Sequence, residues 1–126
     1  MIDFKAYIVK HFAKVKVVHS IPGRLRLKVP TSVKVPEEFR EYDKFVIEGV
    51  KNLDGITNIS FNYIIGTILV NYDTEKVYEE KVLRWINKVV EITVDNLKFI
   101  QQYGETNLEY VINTLNQKLK EEVKKL

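Results

Sequence analysis

A chain of 126 residues with 20 Lys and Arg against 17 Asp and Glu, formal net charge +3, can bury one core without metal or disulfide staples. It has no cysteine, which excludes disulfides and thiolate metal sites and leaves a cytoplasmic location as the default. The mild positive charge permits an anionic partner and demands none.

Residues 2–13 are expected to form a short amphipathic helix, with Phe4, Tyr7, Ile8 and Phe12 on one stripe and Lys5, Lys10 and His11 away from it. Charges run through this stretch, so it reads as neither a signal peptide nor a spanning helix. A helix this short needs a surface to dock on: the domain, a neighbouring subunit or a membrane face.

The stretch VKVVHSIPGRLRLKV, Val15 to Val29, has the clearest alternation in the chain. Val15, Val17, Leu25, Leu27 and Val29 fall on one side, and Lys14, Lys16, Arg24, Arg26 and Lys28 on the other, because successive strand side chains point to opposite faces. This predicts a hairpin that is apolar beneath and basic above. Pro22 and Gly23 suit a type II turn within a longer loop. Pro30 to Pro36 then reads as a loop, its second proline fitting the first turn of a helix.

From Glu37 to Asn52 the residues Phe39, Tyr42, Val46 and Val50 recur at helical spacing, and Leu53-Asp54-Gly55 ends the helix. A second hairpin follows. Ile59, Phe61 and Tyr63 alternate with Asn58, Ser60 and Asn62, and after a turn at Gly66, Ile68, Val70 and Tyr72 alternate with Thr67, Leu69 and Asn71. Asp73-Thr74-Glu75 offers a helix start.

Tyr78, Val82, Ile86, Val89, Thr93, Leu97 and Ile100 keep a helical period as far as Tyr103-Gly104. Val89 to Val94 is β-branched enough for a strand, but Asn87-Lys88 is weak punctuation for such a change, so one long helix, with room for a kink, is predicted. A last helix from about Glu105 carries Leu108, Val111, Ile112, Leu115, Leu119, Val123 and Leu126 on one side.

From Arg24 to Asn87 the order is β-α-β-β-α, lacking only a final strand of a ferredoxin-like unit. The Val15 strand can fill that edge from the other end of the chain. The expectation is an α+β fold: a permuted ferredoxin-like antiparallel sheet (β-β-α-β-β-α) with helices on one face. Its spatial order is the Val15, Arg24, Thr67 and Thr57 strands. Three regions follow: residues 1–13, an amphipathic helix; 14–88, the ferredoxin-like domain; and 89–126, a C-terminal helical extension.

The segment from His19 to Asp73, with HSIPGRLRLKVP and then EGVKNLDGITNISFNYIIGTILVNYD, resembles the heavy-metal-associated domains of copper chaperones and metal-transporting P-type ATPases. It is most similar to the cysteine-free branch of that superfamily. The resemblance implies the sheet-and-two-helix fold and an association with metal transport or storage. Metal-carrying members place a CxxC pair between the first strand and first helix, where two thiolates grip a soft ion. The matching loop here, Thr31-Ser32-Val33-Lys34-Val35-Pro36, has no thiol, imidazole or carboxylate. His11 and His19 are the only imidazoles, and nothing in the sequence joins them to a carboxylate. No metal ligand and no cofactor are expected.

No nucleophile-base set, glycine-rich phosphate loop or paired carboxylates stand out, so the chain is not read as an enzyme. Trp85 is expected in the core or at a subunit contact. Lys16, Arg24, Arg26 and Lys28 are the candidate partner-binding residues. Such a face can be simple solvated surface that discourages edge pairing, or a site for an acidic protein, a membrane or nucleic acid. Ferredoxin-like RNA binders put stacking aromatics there, whereas Phe61, Tyr63 and Tyr72 are expected inward here. The expected function is therefore a protein-interaction module of a metal-homeostasis system, with a nucleic-acid-binding module as the alternative. Its expected partner is a metal-transporting ATPase or another membrane component. Its expected place is cytoplasmic, at most peripheral to a membrane's inner face. Leu108, Ile112, Leu115 and Leu119 are the candidates for self-association into a homo-oligomer, since a helix of about 20 residues runs about 30 Å.

Overall fold

The computed structural model of the protein describes residues 16–28 and 43–126. The expected helix over residues 2–13, the loop from Thr31 to Pro36 and the start of the helix expected at Glu37 lie outside the described residues. Four strands, β1 (Lys16–Ile21), β2 (Arg24–Lys28), β3 (Ile56–Asn62) and β4 (Thr67–Tyr72), form one sheet. Its order is β1-β2-β4-β3, every neighbouring pair antiparallel. That is the strand order expected from the hairpin arithmetic, and it is consistent with a ferredoxin-like fold.

The first turn is tighter than expected. Ile21 pairs with Arg24, so Pro22 and Gly23 alone reverse the chain, with Gly23 at φ +84°, a conformation open to glycine at little cost. The Gly23 carbonyl accepts from the Tyr72 N–H at 2.9 Å, which ties the turn to the end of β4.

One face of the sheet carries the core. Leu25, Leu27, Ile59 and Val70 pack against Val50 of α1 (Asp43–Val50) and Val82, Trp85, Ile86 and Val89 of α2 (Glu79–Asp95). Trp85 is wholly buried and its indole N–H donates to the Val50 carbonyl at 2.8 Å, so it is a core residue that also satisfies a helix-end carbonyl. Gly55, at φ +105°, turns the chain from α1 into β3, and a Cβ there would lie 2.7 Å from Val77 Cγ1.

The next helix starts later than Asp73 suggests. Asp73 Oδ1 accepts from the Glu75 N–H, and its carbonyl accepts from Lys76 and Val77, which closes one isolated turn. Only after Val77 has been set against Gly55 does α2 begin, at Glu79.

Val89 to Val94 is helical, as the period indicates. The Thr93 hydroxyl donates back to the Val89 carbonyl at 2.8 Å, so it is accommodated within the helix. The long helix is broken at Asn96. Its N–H is shared between the carbonyls of Ile92 and Thr93, its side-chain amide donates to Ile92 O at 2.7 Å, and its Oδ1 accepts from Lys118 Nζ at 2.7 Å. The chain restarts as α3 (Leu97–Tyr103).

The last helix, α4 (Leu108–Val123), is capped by Asn107, whose side chain accepts from the Tyr110 N–H. Val111 and Leu115 pack with Ile100, while Leu119 reaches the sheet's own core. Gly49 makes that reach possible, since a Cβ on it would lie 2.5 Å from Leu119 Cδ1. Residues 88 and 89, where a C-terminal extension was expected to begin, lie within α2. Among the described residues no helix is long and apolar enough to cross a membrane.

Candidate functional site

The face of the sheet away from the helices is basic on two strands and uncharged on the other two. Directly opposed residues in an antiparallel pair share a face. Lys16 stands opposite Lys28, His19 opposite Arg26, and Ile21 opposite Arg24. Arg24, Arg26 and Lys28 alternate with the buried Leu25 and Leu27, and all four predicted cations, Lys16 included, are exposed. Beyond them the face continues through Asn71, Leu69 and Thr67 of β4 to Asn58, Ser60 and Asn62 of β3. The structure thus brings together all four residues expected to bind a partner.

Two further members of this face escape the alternation. A register shift between Val17 and His19 bulges β1, so His19 and Ile21 join the basic face, and Ser20 is turned toward the helices. There the Ser20 hydroxyl donates to the Glu79 carboxylate in the first turn of α2. No residue type in KVVHSI announces the bulge, and its signal is absent from the sequence. The edge strand is exposed throughout, with Val17 at 45%, so the apolar side expected of it is only partly covered.

Among the described residues the cations on this face have no ion-pair partner. Among the described residues the ion pairs join Lys76 to Asp54, Lys88 to Glu91 and Lys125 to Glu122, and none involves the basic face. Lys16 directly opposite Lys28 is a like-charge juxtaposition, which an isolated sheet has no reason to favour. A shallow depression of about 290 Å³ lies where the basic and uncharged halves meet, lined by Arg26, Ser60, Phe61, Asn62, Ile65, Thr67 and Leu69.

Aromatic side chains do not pave this face. Tyr72 is buried, and Phe61 packs against the core while its ring stacks with that of Tyr63, centroids 6.1 Å apart. Among the described residues no group of three His, Asp or Glu side chains is close enough to hold an ion. His19 stands beside Arg26, which repels cations; His11 and the Thr31–Pro36 loop lie outside the described residues.

The four residues expected to drive self-association divide. Leu108 is 41% exposed and Ile112 half-buried, but Leu115 and Leu119 are only 3% and 5% exposed, inside the chain's own core. The reason is the break at Asn96, which lets α3 and α4 pack on each other and lets α4 lie across α1. An aromatic group formed by Phe99, Tyr103 and Tyr110, with centroids 5.3 to 5.6 Å apart, sits near the start of α4. Tyr110 is 49% exposed.

Residues 3–126 match the profile of a family described as heavy metal associated domain 2. The match runs far beyond His19 to Asp73 and takes in both of the last helices. No curated protein and no solved structure shows a match to the chain.

Proposed function

The chain belongs to the heavy metal associated domain 2 family, and on that premise we propose that it is a non-catalytic interaction module of a metal transport or homeostasis system. It works by contact with an acidic surface on a protein partner. The family supports the metal-associated setting. The absence of cysteine from the chain turns the reading from ion carriage to contact, because a soft ion needs thiolates to hold it. The fold fits this as a ferredoxin-like sheet in which β1 stands where a final strand would close the edge. The partner of choice is a metal-transporting ATPase or another membrane component, met from the cytoplasmic side.

The observation that carries this reading is the set Lys16, Arg24, Arg26 and Lys28, exposed on one sheet face and without an ion-pair partner among the described residues. Neighbouring positions on paired strands lie about 5 Å apart, so their fields add. An approaching acidic surface gains on-rate more than final affinity from such a patch. Nucleic acid is the weaker reading, since the described strands put no aromatic among the outward residues of this face, which leaves phosphate attraction without base stacking.

A partner recovered from native membranes and cytosol by affinity capture provides the test, with association rates measured at two salt concentrations. Exposed charges are screened beyond about 8 Å at physiological salt, so the rate should fall as salt rises. Arg24→Glu with Arg26→Glu should slow association while leaving the melting temperature nearly unchanged. Rates indifferent both to salt and to the double reversal would reduce this face to solvated surface.

A further inference from the structure

We infer that the β3–β4 turn, together with the cations beside it, is a docking tip for an anionic lipid bilayer. The segment from Ile56 to Tyr72 contains no charged side chain. At its turn Ile64 is 95% exposed and Ile65 55%, adjacent large aliphatic side chains held in water. They are held there by construction. Asn62 Oδ1 accepts from the backbone N–H groups of Ile64 and Ile65, at 3.1 and 3.3 Å, and Gly66 closes the turn at φ +68°. An Asx-type turn of this kind fixes the loop without any help from the isoleucine side chains, which are left free to meet something else.

The strand register puts positive charge next to that tip. Asn62 pairs with Thr67, Thr67 with Lys28, and Lys28 with Lys16, so the row nearest the turn runs across all four strands and ends in two lysines. Ile65 and Arg26 line the same depression of about 290 Å³, which makes the apolar tip and the basic face continuous. Neither the row nor the turn contains a carboxylate.

An acidic protein surface would answer the lysines but not the two protruding isoleucines, which would need a matching pocket. An anionic bilayer answers both, offering headgroup charge at the level of the lysines and an acyl boundary just beneath for the aliphatic side chains. The like-charge opposition of Lys16 and Lys28 is then relieved by lipid phosphate or carboxylate. This goes beyond the protein-partner reading and does not depend on it.

Co-sedimentation of the full chain with phosphatidylcholine vesicles, with and without phosphatidylserine, tests the proposal. The chain should bind the anionic vesicles and not the neutral ones. Ile64→Asn with Ile65→Asn should lower the partition coefficient about tenfold or more, the scale of withdrawing an exposed aliphatic side chain from water. Lys16→Glu with Lys28→Glu should abolish binding. Lys120→Glu should change it little, because Lys120 is exposed on α4, on the helical side of the sheet and away from the basic face. All of these side chains are exposed, so unchanged thermal melts will separate lost docking from lost folding. Three results would overturn the proposal: no binding to anionic vesicles, binding undiminished in the isoleucine variant, or a dimer of the free chain that the isoleucine variant abolishes. The last would assign the tip to a second copy.

Discussion

Leu25 and Leu27 are wholly buried while Arg24, Arg26 and Lys28 beside them stand in solvent, so a single step along β2 changes what a side chain is worth. Leu27→Ala removes buried methyl groups from beneath α2 and leaves a cavity on a central strand, which should cost roughly 2–5 kcal/mol. Lys16→Ala removes an exposed charge that faces Lys28 and should stay within about 0.5 kcal/mol of the parent. Denaturant melts of the two variants check the assignment of faces, and equal effects would show the faces to be reversed. Trp85 illustrates the same dependence on surroundings: its ring fills the core, and its N–H spends its one donor on the Val50 carbonyl, which also accepts from the Leu53 N–H where α1 ends.

At the scale of elements, edges and ends are settled by particular side-chain bonds. The bulge in β1, with Ser20 bonded to Glu79, twists an otherwise exposed edge strand, a recognised protection against edge-to-edge pairing. The break between α2 and α3 is stabilised by Asn96, which bonds both its own helix and Lys118 of α4. The last helix is part of the core it covers, since it contributes Leu119 to the sheet's cluster and Val111 and Leu115 to a second one. Truncation after Gly104 should therefore uncover Ile100 and the Gly49 side of α1, lower the melting temperature and reduce solubility. Light scattering and thermal melts will show this. A truncated chain that stayed soluble and monomeric with an unchanged melt would mean that α4 is an appendage. Should the chain self-associate, the surface to test is Leu108, Ile112 and Tyr110, which with Val123 are the apolar side chains of α4 that stand exposed or half-buried.

For the molecule as a whole, the family and the chemistry pull apart: a heavy metal associated domain whose chain contains no cysteine. Titration calorimetry with Cu(I) or Zn(II) should reveal no stoichiometric sub-micromolar site, because thiolates or a convergent ligand set are needed for one. Weak surface binding at His11 or His19 would not change that conclusion, whereas a tight site would overturn it. The sequence by itself determined the two faces of β2, the pairing order of the strands and the helical state of Val89 to Val94. The faces and the helix follow from a period of two or of 3.6 among neighbouring residues, and the pairing order from the tight turns and the order of the elements. It also determined the four cations of the candidate site, for the same reason. Only the tertiary structure decided that His19 turns outward, that α2 waits for Val77 to settle against Gly55, that Leu115 and Leu119 are internal, and that Ile64 and Ile65 protrude. The buried leucines and the late start of α2 rest on partners far away in the chain, Gly49 with Leu119 and Gly55 with Val77 among them, while Asn62 and Gly66 hold the isoleucines out. Ile64 and Ile65 are as apolar as Leu25 and Leu27, yet one pair stands in solvent and the other is wholly buried, since burial is a property of the packed chain and not of the residue.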